Sequence, residues 1–178
     1  MKERIFTKRN ILYLVIVIAV CAILIRVFVF EAFFVRGDSM APTILPGDYV
    51  LVNKLAYAEN APKRGDIVVV IPRVLPNKIV KRIIGLPREI FSIENERIVL
   101  RNERGDEGIV LDEKYLVSSG TPEVGKTKTN IDPNEFFVLG DNRNMSIDSR
   151  ELGMVDASNI RGRVFGVVRF SSLKYIGF

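Results

Sequence analysis

The chain has 178 residues, no histidine, a single cysteine and a net charge of +5. That length suits one domain plus a terminal segment. The composition excludes a Ser-His-Asp triad within the chain and an intrachain disulfide. The basic excess is a tail rather than a surface: residues 1–10 carry +3, Arg26 adds one and residues 27–178 carry only +1, so the folded part lacks the basic stripe that nucleic-acid binding needs.

The first predicted element is a membrane anchor over residues 11–30, preceded by a basic tail over 1–10. Ile11 to Ile25 runs without a charge, Arg26 interrupts, and Val27-Phe28-Val29-Phe30 continues the apolar run. About twenty helical residues span the roughly 30 Å hydrocarbon core, and an arginine near the end of such a run snorkels to the headgroups. Basic residues ahead of the run predict a cytoplasmic N-terminus, with residues 31–178 on the far side of the bilayer. A cleaved leader with a poor junction at Val20-Cys21-Ala22 is the second reading. Apolar residues run on to Val35, which favours an uncleaved anchor, and Val20 is a poor fit for a lipoprotein signal at Cys21.

From residue 49 the pattern turns to strands. Residues 49–52, 66–71, 78–84, 90–93, 97–100, 135–139 and 163–170 are short runs rich in Val, Ile and Phe, bounded by Gly, Pro, Asn and charged residues. Asn95-Glu96 and 102–105 read as turns, and 118–133 as a polar loop or exposed hairpin. No long segment of helical period follows residue 35. The expected fold is mostly β, an antiparallel sheet or barrel-like assembly behind one transmembrane helix.

Three segments carry candidate chemistry. In Gly37-Asp38-Ser39-Met40-Ala41-Pro42-Thr43, Ser39 sits on a turn before a strand; a lone serine there is more often a plain turn residue. Without histidine, a reactive serine needs another base, and lysine is the main candidate. In Ile79-Val80-Lys81-Arg82-Ile83-Ile84-Gly85-Leu86-Pro87, a strand puts Lys81 and Arg82 on opposite faces, so one of them faces the protein. Burial lowers a lysine pKa, and a neutral amine can accept a serine proton. Lys54, which also ends an apolar run, stays a second candidate. The third segment, Gly140 to Arg150, follows a buried-looking strand, and its Asp141, Arg143, Asp148 and Arg150 suggest a charge network that fixes the loop. No histidine, one cysteine and no calcium-type carboxylate loop leave no donor set for a metal, and no cofactor is expected.

Together, behind an anchor, these segments make the chain resemble the bacterial type I signal peptidases, membrane-bound serine proteases that remove signal peptides. The resemblance rests on S-M-x-P-T at residue 39, K-R-x-x-G-L-P at residue 81 and G-D-N-R-x-x-S-x-D-S-R at residue 140. It implies Ser39 as nucleophile, Lys81 as general base, Ser146 as the hydroxyl that orients the lysine amine, and Asp148 and Arg150 as a structural ion pair. Met40, Pro42 and Thr43 match residues that shape the catalytic turn. The implied partners are exported preproteins carrying signal peptides and the lipid bilayer, with no metal and no nucleic acid. The implied location is the bacterial cytoplasmic membrane, with the catalytic domain outside. Val35, Met40, Ile79 and Val80 are candidates for lining the substrate pockets.

Two departures stand out. Gly37 occupies a position where some members carry a serine that helps hold the oxyanion. Arg88-Glu89 replaces the usual Gly-Asp after G-L-P, where a glycine can hold a positive φ. Other readings are a Ser-Lys peptidase dedicated to one exported substrate, a self-cleaving repressor, which the anchor opposes, and a catalytically dead, anchored peptide-binding module.

Overall fold

A computed structural model describes residues 8–102, 105–116, 120–122, 125 and 127–178. Most of the basic tail, and parts of the polar stretch 118–133, lie outside the described residues. Helix α1 runs from Lys8 to Phe28. It ends earlier than the apolar run suggests, because Phe30–Phe34 forms strand β1, paired antiparallel with β2 (Tyr49–Asn53). Periodicity could not separate the two elements: Phe-Glu-Ala-Phe-Phe prolongs the apolar composition of the helix while changing its backbone.

The remaining strands are β3 (Ile67–Val70), β4 (Ile79–Gly85), β5 (Ile90–Glu94), β6 (Arg97–Arg101), β7 (Ile109–Val110), β8 (Lys128–Asn130), β9 (Glu135–Leu139), β10 (Val155–Asp156), β11 (Ile160–Arg169) and β12 (Lys174–Gly177). A short helix, α2, spans Ser149–Leu152. The larger sheet has the order β1-β2-β11-β3-β4-β9-β10, with β12 also paired to β11; the smaller one has the order β7-β6-β5-β8. All pairings are antiparallel. The fold is mostly β, a curled half-barrel behind one apolar helix.

The strands alternate as the period of two requires. Ile67 and Val69 of β3 enter one core with Met40, Ile44, Val50, Val52, Val80, Val164 and Val167 on the inside of the curl. Val68 and Val70 enter another with Ile83, Phe136, Val138 and Val155. Burial on both faces explains the unbroken apolar run of β3. A third core joins the two sheets, where Phe91 of β5 stacks on Phe137 of β9 at 3.9 Å.

Side chains stand at positive φ in the β5–β6 hairpin and in the turn after β4. Asn95 and Glu96 both take positive φ, 50° and 60°, and close the β5–β6 hairpin in two residues, the geometry that matches strand twist. Arg88 holds φ at 69°, so the backbone keeps a left-handed residue without the glycine. That costs about 1 kcal/mol for a side chain. It is held by the Arg88 N–H donating to the Ile131 carbonyl at 2.9 Å and by Glu89, whose carboxylate accepts the Leu86 N–H at 2.8 Å and pairs with Arg64.

Candidate active site

Ser39 lies on a turn between β1 and β2. The Ala41 N–H donates to the Asp38 carbonyl at 2.9 Å, and Met40 and Ile44, both fully buried, root the turn in the core. From the far side, the Asn142 N–H donates to the Ser39 carbonyl at 3.0 Å and Thr43 Oγ1 donates to Asp141 Oδ2 at 2.5 Å. The nucleophile turn is therefore clamped between the core and the loop after β9.

Lys81 sits in β4, opposite Val68 of β3. On its other edge β4 pairs with β9 only from Arg82 onward, because β9 ends at Leu139 and the chain turns away. Ile79, Val80 and Lys81 thus keep one edge without a strand neighbour among the described residues. Lys81 is only 2% exposed, and its Nζ donates to Ser39 Oγ at 2.7 Å. Burial pushes its pKa down to about 8; the nearby carboxylates of Asp148 and Asp141 oppose that shift and Arg150 assists it. Lys54 is placed elsewhere: its Nζ donates to the Val27 carbonyl in the last turn of α1.

The loop after β9 is built on buried ion pairs. Asp148 (0% exposed) pairs with Arg150 (3%) through Nε at 2.9 Å and accepts the Gly140 N–H at 3.0 Å. It also caps α2 by accepting the Arg150 N–H. Arg150 Nη2 ties off the Arg143 and Ser146 carbonyls at 2.7 and 3.2 Å. Gly140 is the point of closest approach, since a Cβ there would overlap both the Ser39 carbonyl oxygen and the Ser146 hydroxyl. Ser146 Oγ is buried and has no hydrogen-bond partner among the described residues.

Several further residues support the site from other elements. Arg82 makes a two-pronged pair with Asp141, at 2.9 and 2.7 Å, and its guanidinium lies 4.0 Å from the centre of the Tyr115 ring. Arg143 pairs with Glu113 and donates to Thr121 Oγ1 and the Tyr115 hydroxyl. The adjacent Lys-Arg of β4 was a signal for Arg82, since both residues cannot face solvent. Glu113, Tyr115 and Thr121 lie in an unpatterned stretch that offers none.

A groove of about 410 Å³ runs along this site, lined by Phe33, Val35, Gly37, Ser39, Ile79 and Val80 among others. Val35, Met40, Ile79 and Val80 all border it; Met40 and Val80 belong to the core beneath, while Val35 and Ile79 are half-exposed. Gly37 has open space where a side chain would stand.

Residues 8–169 match the family model described as signal peptidase, peptidase S26. The chain belongs to that family. Curated relatives agree with the match. It is 38% identical to signal peptidase I of Leptolyngbya laminosa, over 89% of this chain and 77% of that one. It is 36% identical to signal peptidase I of Bacillus caldolyticus, over 83% and 84%, and 30% identical to signal peptidase I U of Bacillus subtilis, over 91% and 88%. As a member of the S26 peptidases the chain is a hydrolase, a serine endopeptidase. The apolar stretch Arg9–Phe28 has a mean hydropathy of 3.0 and none of it is buried against the rest of the chain, which fits membrane anchoring.

Proposed function

We propose that this peptidase removes signal peptides from exported preproteins through a Ser39–Lys81 dyad at the outer face of a bacterial membrane. The observation that carries the reading is the 2.7 Å hydrogen bond between Lys81 Nζ and Ser39 Oγ on a lysine almost wholly removed from water. Neutral Lys81 takes the Ser39 proton as Oγ bonds to the scissile carbonyl carbon. The carbonyl oxygen takes up the negative charge and receives the Ser39 N–H, which has no acceptor among the described residues. As the intermediate collapses, the C–N bond breaks and Lys81 gives its proton to the leaving amine. Lys81 then deprotonates water, which attacks the ester, and Ser39 regains its proton.

Ser146 is a positioning residue in this scheme. Its unpartnered hydroxyl lies across Gly140 from the Ser39 carbonyl, and we assign it to hold the lysine amine when Ser39 turns to substrate. Asp148 and Arg150 hold the loop that carries it.

Substrate enters as an extended strand between the open edge of Ile79–Lys81 and β1, which completes the curl of the sheet. Val35, Met40, Ile79 and Val80 shape the pockets for the small residues before the cut. The anchor lies across the bilayer with the basic end in the cytoplasm and residues 31–178 outside. The exposed ring of Phe30, two residues past the end of α1, suits contact with lipid headgroups; Phe34, Phe170 and Tyr175 are also exposed but lie toward the other end of β1.

The test is cleavage of a preprotein by the full chain in detergent. Wild type is expected to cut at the mature junction and Ser39→Ala to leave the preprotein intact while melting normally. Binding of preprotein without cleavage by the wild type would support the binding-module reading instead.

A further inference from the structure

The curl of the larger sheet brings β1, its first strand, to face β4, which lies four places along. One ion pair spans the space between them, from Glu31 of β1 to Lys78, the residue just before β4. Glu31 lies opposite Val52 and Phe33 opposite Val50, and both valines belong to the core inside the curl. Glu31 is therefore a charge on the inward face of an edge strand, in the same row as Phe33 and Val35. Lys78 and Val80 share the facing wall by the same alternation. Lys78 borders the groove that runs from here to Ser39.

We propose that the Glu31–Lys78 ion pair forms the upstream end of the substrate groove and lets it accept either charge on the substrate residues four and five places before the cut, because each partner offsets the other. This rests on the peptidase reading above. Lys78 stands three residues before Lys81, about 10 Å along an extended strand. The groove between the dyad and the pair thus holds three or so substrate residues. The end at Glu31 is the one nearest the membrane, because α1 ends at Phe28. A signal peptide held in the bilayer lies on the N-terminal side of the cut, so its chain passes the ion pair on its way to Ser39. Both partners are partly exposed, with side-chain exposures of 43% for Lys78 and 27% for Glu31. A pair in that setting is held weakly enough for a substrate charge to compete for either partner. While intact it presents no net charge.

The experiment compares full-length wild type, Glu31→Gln and Lys78→Gln on three preproteins that differ only in carrying two Gln, two Lys or two Glu at positions −5 and −4. Wild type is expected to keep kcat/KM within about twofold across the three, whereas each single variant discriminates about fivefold. Glu31→Gln, with Lys78 unpaired, favours the Glu substrate over the Lys substrate. Lys78→Gln favours the Lys substrate. The opposite signs guard against a general loss of folding. An unchanged Lys-to-Glu ratio in both variants overturns the inference while leaving the peptidase reading intact. Failure of wild type to cut any of the three overturns both.

Discussion

Lys81→Met is expected to lose cleavage by a factor on the order of 10⁴ or more and yet to melt above the wild type at neutral pH. The loss follows because among the described residues only Lys81 brings a basic nitrogen to Ser39 Oγ. The gain in stability follows from linkage. The unfolded chain holds the lysine proton up to its ordinary value near 10.5, the folded chain only to about 8. Between those values the unfolded state binds more protons, so wild-type stability rises with pH across that window. Below pH 8 the folded protein bears the whole penalty, roughly 3 kcal/mol. Methionine keeps the length of the side chain and removes the charge. Thermal melts of both proteins at pH 6.5 and pH 10.5 check this: the advantage of the variant is large at the lower pH and shrinks at the higher one. A variant less stable by the same margin at both would contradict it.

Asp148→Ala is expected to destabilise the protein by roughly 3–5 kcal/mol and to abolish activity, because it leaves the Arg150 guanidinium buried without its counter-charge. The carboxylate also accepts the Gly140 N–H, and Gly140 is the residue against which the Ser39 carbonyl and the Ser146 hydroxyl rest. Freeing that N–H loosens both serines together. Charge is the larger part of the effect, so Asp148→Ala/Arg150→Met is expected to be less destabilised than Asp148→Ala alone. Chemical denaturation of the single and double variants measures the coupling directly. Equal stability of the two would mean that the pair contributes by packing and not by charge.

Strands β2, β3, β4, β5, β6, β9 and β11 were legible because each is a short run of Val, Ile and Phe between turn residues, whereas β7 and β10 are two residues long and β12 is no such run. The Asn95-Glu96 hairpin was legible for the same reason. Strand β1 was hidden by its apolar composition, which continues that of α1. Strand β8 was hidden in a polar stretch whose pairing with β5 comes from the neighbour and not from its own residues. At the site, the absence of histidine points a reactive serine to a lysine base but leaves Lys54 as a candidate beside Lys81, and it is the resemblance to the signal peptidases that implies Ser39 with Lys81. Their meeting depends on a fold that brings positions 42 residues apart to 2.7 Å, which no local pattern records. The density of charge in residues 141–150 suggests a network within the loop. Asp141 and Arg143 instead find their partners in Arg82 and Glu113, on other elements. A buried charge announces that it needs a counter-charge, but the sequence does not say where that counter-charge lies.

In this mechanism a buried, neutral Lys81 activates Ser39, and the measurement for it is the pH dependence of kcat/KM for preprotein cleavage from pH 6 to 11 in detergent. The rate is expected to rise about tenfold per pH unit at the acid end and to level off through a midpoint near 8, the value to which burial lowers the lysine. A rate that stays flat across pH 7 to 9 would mean that Lys81 is not the base, and a midpoint near 10.5 that the base is a solvated amine and not the buried Lys81.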